Sequence, residues 1–223
     1  MSHARVKGTL KVTAKGAKSA EMSIYGPIGS DYYGDGVSAA SFAKALKALG
    51  AVNTIDLRIN SEGGVVTDAR AMYNLLMQHD ARVNVHIDGI AASAASFLAM
   101  AGDKITIAEG GFFMIHNARA VAIGEADDMR KMADVLDLVN DTIRDTYVAR
   151  TGIDYKKMKS WMDKETWFSG VQAVENGFAD EISENYTRVA ACITDVPPWF
   201  SKMPEIIRPN RAKVLAFRRN QLA

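Results

Sequence analysis

Cysteine is almost missing from this sequence. Of 223 residues only Cys192 carries a thiol, so no internal disulfide can form and no thiolate pair stands at metal-ligand spacing, which fits a reducing compartment. An excess of one charge is also missing. Lys and Arg number 27 against 26 Asp and Glu, a net charge of +1, so there is no global field for nucleic acid or an anionic membrane, and any charge-based partner must be local. Long apolar runs are lacking too: the uncharged stretch Gly89–Gly102 has 14 residues, short of the roughly 20 that a membrane-spanning helix needs. The first twenty residues have no apolar core of a secretory signal. No two of His3, His79, His86 and His116 fall at a zinc-binding i, i+4 spacing, so no metal is expected. GxGxxG and Walker spacings are absent as well, which disfavours a nucleotide cofactor. These absences lead to the expectation of a cytoplasmic, soluble chain with no cofactor, no nucleic-acid partner and no membrane partner.

What is present is ordinary for a globular domain. With 48% hydrophobic and 24% charged residues, the chain can bury one sizeable core. Residues 1–20 hold five bases and no acid and read as a basic mobile arm. After them, Glu21–Gly26 reads as a short strand, GSDYYGDG as a loop and Ser38–Leu49 as a helix. The pattern repeats with a strand at Thr54–Asn60, a turn at SEGG and a helix at Val65–His79. A strand at Val83–Asp88 then leads to a small-residue helix beginning near Ala92. Lys104–Ala108 and Phe112–His116 read as strands, and Glu125–Arg150 as one helix of about 39 Å. Met129, Met132, Leu136, Val139, Ile143 and Tyr147 form its apolar stripe, which suits either core packing or a partner subunit. Tyr155–Asp163 and Ser169–Gly177 read as helices, with a last strand at Phe178–Ile182. Strands alternating with helices indicate an α/β fold with a largely parallel sheet. From 196 the order breaks: the tail holds four of the five prolines, and from Lys202 onward six bases face one acid, which reads as a solvated extension.

Four segments could carry chemistry. In GIAASAASF, Ser93 stands where a strand ends and a helix begins, so its oxygen meets the positive end of a helix dipole and the next amide lacks an intrahelical partner. The plainer reading is a helix cap among residues kept small for packing. In NSEGG, Gly64 could expose an amide to a substrate oxygen, or the glycines could serve only a tight turn. His116 ends an apolar strand, where open α/β sheets assemble their sites, although a lone histidine there also suits a core edge. Asp163 and Glu165, beside Trp161 and Trp167, could orient an imidazole or merely cap a helix.

Together, IYGPIG, RINSEGG, DGIAASAASFLAMAGD, FFMIHNA, the long helix and ETWFSGVQAVENGFADEI resemble the Clp protease proteolytic subunit family, ClpP. They are most similar to its phage and prophage members that process capsid precursors. The resemblance spans roughly Ser23 to Ile182. It implies a ClpP/crotonase-type α/β fold of repeated ββα units with a long handle helix, a protease domain over 21–195, and stacked rings of seven or fourteen identical subunits. It matches Ser93 to the nucleophile, His116 to the general base and Glu165 to the acid that orients the base, with the Gly64 and Ala94 amides as the oxyanion hole. The implied activity is serine endopeptidase, acting on capsid or scaffold proteins. A housekeeping Clp subunit fed by a separate ATPase unfoldase is the alternative, and a non-proteolytic crotonase-like enzyme or inactive ring scaffold the further one. Three departures accompany the resemblance: Glu165 replaces Asp, Glu62 stands where Pro is usual, and Ala95 replaces a common Gly.

Overall fold

The computed structural model describes residues 7–16, 18–29, 36–183 and 200–204. In chain order its strands are β1 (Thr9–Ala14), β2 (Ser19–Tyr25), β3 (Thr54–Ser61), β4 (Arg82–Ala92), β5 (Lys104–Ala108), β6 (Phe112–Ile115), β7 (Thr166–Ser169) and β8 (Glu181–Ser183). Its helices are α1 (Ala39–Ala48), α2 (Val66–Met77), α3 (Ala94–Ala99), α4 (Ala126–Thr151), α5 (Tyr155–Asp163) and α6 (Gly170–Glu175). The strands form one sheet of order β1-β2-β3-β4-β5-β8, with β6 on β4 and β7 on β6. From β2 through β8 the main path is parallel, as the alternation of strands and helices requires.

The strand β4 forks the sheet. Its first half pairs with β5, from Asn84 with Lys104 to Ile87 with Ile107, and its end pairs with β6, from Ile90 with Phe112 to Ala92 with Met114. Burial changes at the same point. Residues alternate between buried and half-buried up to Asp88, whereas Gly89 through Ala92 are buried without alternation, because the second half is covered on both faces. One face, carrying Ala91, Phe113, Ile115 and Phe168, belongs to the main core. The other, carrying Ile90, Ala92, Met114 and the half-buried Phe112 and Trp167, is covered by Phe200 and Met203.

Helices cover the rest of the sheet through short apolar stripes. In α1 the buried pair is Phe42 and Leu46, one turn apart, and Ser38 caps the helix by accepting from the Ser41 amide at 3.2 Å. In α2 the stripe is Ala69, Met72 and Leu76, at the spacing of three and four that a helix face needs. The long helix α4 divides into two halves. Asn140, Ile143, Arg144 and Tyr147 are buried, whereas Val135 and Leu138 are 53% and 66% exposed. Of the stripe expected from the sequence, only Ile143 and Tyr147 reach the core; Met129 is exposed and Met132, Leu136 and Val139 are half-buried.

Several sequence-based expectations need correction. Residues 9–14, expected within a mobile arm, form β1, which pairs antiparallel with β2 from Thr9 with Tyr25 to Ala14 with Ala20. The backbone groups of the β2 edge thereby gain partners. The helix expected near Ala92 begins at Ala94, because β4 runs on to Ala92 to meet β6. Thr166–Ser169, for which no strand is expected and whose last residue is expected to open a helix, is β7, and the last strand begins at Glu181 rather than Phe178. Phe178 instead packs in the core against Phe113, Tyr147, Trp161 and Phe168. The expected solvated tail also falls short of the structure. Most of it lies outside the described residues, but Phe200 and Met203 are buried against the sheet.

Candidate active site

The fork in β4 brings Ser93 and His116 together. Because Ala92 pairs with Met114, the next residue on β4 emerges beside the end of β6, and the Ser93 amide donates to the Met114 carbonyl at 3.0 Å. His116 follows Ile115, the last residue of β6. The Ser93 Oγ lies 2.7 Å from His116 Nε2, a hydrogen-bond distance suited to proton transfer between a nucleophile and its base.

Ser93 has a strained backbone. Its φ of 55° and ψ of −125° lie far from the regions that non-glycine residues favour, and such outliers cost on the order of 1–3 kcal/mol each. The strain has an identifiable source: the chain turns from strand to helix within one residue while its amide remains tied to β6. Ser93 closes the strand and its carbonyl accepts from Ser96 Oγ at 2.6 Å. Ser96 Oγ in turn lies 2.8 Å from the buried Tyr147 hydroxyl. Since the Ser96 hydroxyl hydrogen goes to Ser93, Tyr147 must donate to Ser96, and α4 thus holds the Ser93 turn.

The turn NSEGG packs against the same residue. A Cβ at Gly63 would stand 2.5 Å from the Ala92 oxygen and 2.8 Å from both the Ala94 nitrogen and Ser93 Cβ, and φ there is +95°. Gly64 has φ of +146°, and a Cβ there would stand 2.0 Å from the Ile28 oxygen. Ile28 donates to the Gly63 carbonyl and accepts from the Val65 amide, both at 2.9 Å. Because peptide groups alternate along such a ladder, the Gly64 amide points to the other side. The structure therefore places the Gly64 turn and the start of α3, with Ala94, beside Ser93. A narrow recess of about 20 Å³ opens there, lined by Val66, Ala69, Phe97, Ile143 and Tyr147 along with Ser93 and His116.

The expected third member is close but engaged elsewhere. β6 and β7 pair antiparallel from Phe112 with Ser169 to Ile115 with Thr166, and one step further in this register His116 faces Glu165. Glu165 has φ of +51° and is 5% exposed. Its Oε1 accepts from the Lys202 amide at 2.8 Å and Trp167 Nε1 at 3.3 Å. Its Oε2 accepts from the Ser201 amide at 3.0 Å, Ser201 Oγ at 3.0 Å and the Arg119 guanidinium at 3.1 Å. Meanwhile His116 Nδ1 is buried and has no hydrogen-bond partner among the described residues. Asp163 does not fill that place: it is half-exposed and held by Asn117 and Lys159, both at 2.8 Å.

Electrostatics follow this arrangement. Burial lowers the His116 pKa to about 4, aided by the Arg119 guanidinium and opposed by the Glu165 charge. Burial pushes the Glu165 carboxyl up, but the Lys202 and Ser201 donors and Trp167 outweigh it and hold the group below its ordinary value. His116 is therefore neutral at pH 7, as a general base must be. Among the described residues, no group of three or more His, Cys, Asp or Glu side chains could hold a metal ion, and no helix is long and apolar enough to cross a membrane.

A family model of the Clp protease matches residues 9–186, which covers every element just described except Phe200–Pro204. The chain belongs to the Clp protease family. Among curated Clp relatives, the "ATP-dependent Clp protease proteolytic subunit 1" of Prochlorococcus marinus is 31% identical over 128 residues, covering 56% of this chain and 66% of that protein. The "ATP-dependent Clp protease proteolytic subunit" of Dehalococcoides mccartyi is 33% identical over 130 residues, covering 57% of this chain and 65% of that protein. The match thus spans just under two thirds of the length of these Clp relatives. The parallel sheet with flanking helices is the Clp fold expected from the sequence. Sequence reasoning missed Arg119, Ser201 and Lys202 as neighbours of this Clp site, because they meet Glu165 only through tertiary contacts.

Proposed function

We propose that this chain is a ClpP-type serine endopeptidase. The observation that carries the reading is the 2.7 Å contact between Ser93 Oγ and His116 Nε2 at the ends of two paired strands. In this mechanism neutral His116 takes the Ser93 proton at Nε2 while Oγ bonds to a peptide carbonyl carbon. The carbonyl oxygen becomes an oxyanion, held by the Gly64 and Ala94 amides. Collapse breaks the C–N bond, and the proton on Nε2 passes to the leaving amine. Water then repeats the sequence on the acyl-enzyme, with His116 as base and then acid, and regenerates Ser93. Glu165 is the carboxylate that orients the ring and stabilises the imidazolium when it faces Nδ1.

Assembly into stacked rings is part of the proposal, supported by the exposed apolar residues of α4, which a monomer would avoid presenting together. Capsid or scaffold proteins are the proposed substrates, supported by the resemblance of the motifs to phage and prophage members, and the host cytoplasm is the proposed compartment. The curated relatives' names contain "ATP-dependent", which makes delivery by a separate unfoldase the competing version of the same activity. Stimulation of hydrolysis by an unfoldase with ATP decides between the two. A non-proteolytic enolate-stabilising enzyme would need the two amides but not the Ser93–His116 contact.

The test is peptide hydrolysis by Ser93→Ala. Loss of hydrolysis with assembly intact is the expected result, and hydrolysis retained in that variant overturns the mechanism.

A further inference from the structure

Phe200–Pro204 supplies most of the hydrogen bonds that engage the Glu165 carboxylate. Three of the five donors to the Glu165 carboxylate belong to this segment: the Ser201 amide, Ser201 Oγ and the Lys202 amide. The segment is seated by its own apolar side chains. Phe200 and Met203 are 6% and 3% exposed against Ile90, Ala92 and Met114. The Phe200 ring stands edge-on to both His116 and Trp167, with centroids 6.0 Å and 5.4 Å apart. Lys202 adds a further tie, its Nζ donating to the Lys164 carbonyl at 2.6 Å.

The opposite side of the contact is the incomplete histidine. For Nε2 to accept the Ser93 proton, the neutral ring must carry its hydrogen on Nδ1. An Nδ1–H without an acceptor leaves the other tautomer, in which Nε2 donates to Ser93, equally open. A cavity of about 210 Å³ is lined by both His116 and Glu165, together with Arg119, Asp163, Lys164 and Lys202, so open space adjoins the carboxylate.

We propose that Phe200–Pro204 is an autoinhibitory latch, which holds the Glu165 carboxylate away from His116 Nδ1 and whose release completes the catalytic site. The inference rests on the serine-peptidase reading above. In the latched form Glu165 satisfies the Ser201 and Lys202 donors; on release those amides turn to solvent and one carboxylate oxygen accepts from Nδ1–H. No covalent bond is made or broken in the switch. The segment seats itself through Phe200 and Met203, so a peptide with large apolar side chains is the class of partner that would compete with it for the Ile90–Met114 face.

The test uses the full chain and the rate at which a fluorophosphonate labels Ser93. Ser201→Pro removes the Ser201 amide hydrogen and the hydroxyl and restricts the Phe200 backbone, all of which loosen the segment, while Ser201→Thr retains both donors. Labelling of Ser201→Pro is expected to rise by about tenfold or more, since a wrong tautomer alone costs a triad enzyme far more than that, whereas Ser201→Thr stays within about twofold of wild type. The gain should vanish in Ser201→Pro/Glu165→Gln, and the acid limb of the labelling rate should move up from about pH 4. That limb reports His116 under the charges that face it, Arg119, Asp163, Lys164, Glu165 and Lys202; because loosening the segment also relieves the burial of the ring and raises its pKa, the latch predicts a further rise that Ser201→Pro/Glu165→Gln abolishes. Equal labelling of wild type and Ser201→Pro, with Ser93→Ala unlabelled, overturns the latch and leaves the peptidase reading standing. A folded protein in which neither form labels at Ser93 overturns the peptidase reading and the latch with it.

Discussion

The Ser93 amide donates to the Met114 carbonyl at 3.0 Å, and this bond fixes the end of β4 to β6 two residues before His116. The spacing of the candidate nucleophile and base therefore depends on the sheet rather than on a loop. Rigid strands hold such pairs more closely than loops do, so changes that loosen the fork should affect reactivity before they affect overall folding.

The two nearby acids should differ sharply. Glu165 is buried opposite His116, one register step beyond the Ile115–Thr166 pair, whereas Asp163 is half-exposed and tied to Asn117 and Lys159. Glu165→Gln should lower peptide hydrolysis by about a hundredfold or more, and Asp163→Asn by less than about threefold. Steady-state kinetics on both variants gives the ranking, and the reverse order would assign the orienting role to Asp163.

Gly63 is packed directly against the Ser93 turn. With φ of +95° and neighbouring atoms at 2.5 to 2.8 Å from any added Cβ, Gly63→Ala must move either the Ser93 turn or β3. A loss of about 1–3 kcal/mol of folding stability is expected, together with loss of Ser93 labelling. Urea unfolding beside the labelling assay measures both.

The Tyr147 hydroxyl should matter through Ser96. Tyr147→Phe leaves the Ser96 oxygen with one partner fewer in a buried setting and is expected to cost about 1 kcal/mol. Ser96→Ala removes the bond to the Ser93 carbonyl as well and strands the Tyr147 hydroxyl, so it should cost more and slow labelling. Denaturant unfolding and labelling rates of the two variants check the order.

Much of this architecture is legible in the sequence, and the exceptions share a cause. β2 and β3 alternate cleanly because one face is buried, and α2 shows its face at helical spacing. β1 alternates Leu10, Val12 and Ala14 with Thr9, Lys11 and Thr13, but the run is short, exposed almost throughout and set among five bases, so it reads as part of a basic arm. β7 has only four residues, too few for a period, and it exists because β6 offers it an edge. The Ser93 turn, His116 and the glycine turn are local motifs and could be read from the chain. The engagement of Glu165 could not, since its partners Ser201 and Lys202 lie 36 and 37 positions away in a proline-containing stretch that reads as a solvated extension. Phe200 and Met203 are isolated apolar residues there, and only the second face of the β4–β6 fork gives them a role.

Acid should destabilise the protein over a defined window. The folded His116 pKa of about 4 lies below the ordinary 6.5, so the unfolded chain takes up a proton first as pH falls. The contribution of neutral His116 is complete above about pH 6.5 and is lost as pH drops toward about 4. Glu165, also held below its ordinary value, contributes stability above that value and loses it as pH falls through its folded pKa. Between about pH 7 and 5 the fall due to His116 should be on the order of 2 kcal/mol, and His116→Gln should flatten it. Urea unfolding across that range tests the sign.

The central claim is an activated Ser93, and intact-mass and peptide-map analysis after fluorophosphonate treatment tests it most directly, with native mass spectrometry on the same sample to report assembly. One adduct, confined to Ser93 and absent from Ser93→Ala and His116→Ala, is the predicted result. An assembled, folded protein that carries no adduct, or carries it on another residue, would contradict the account.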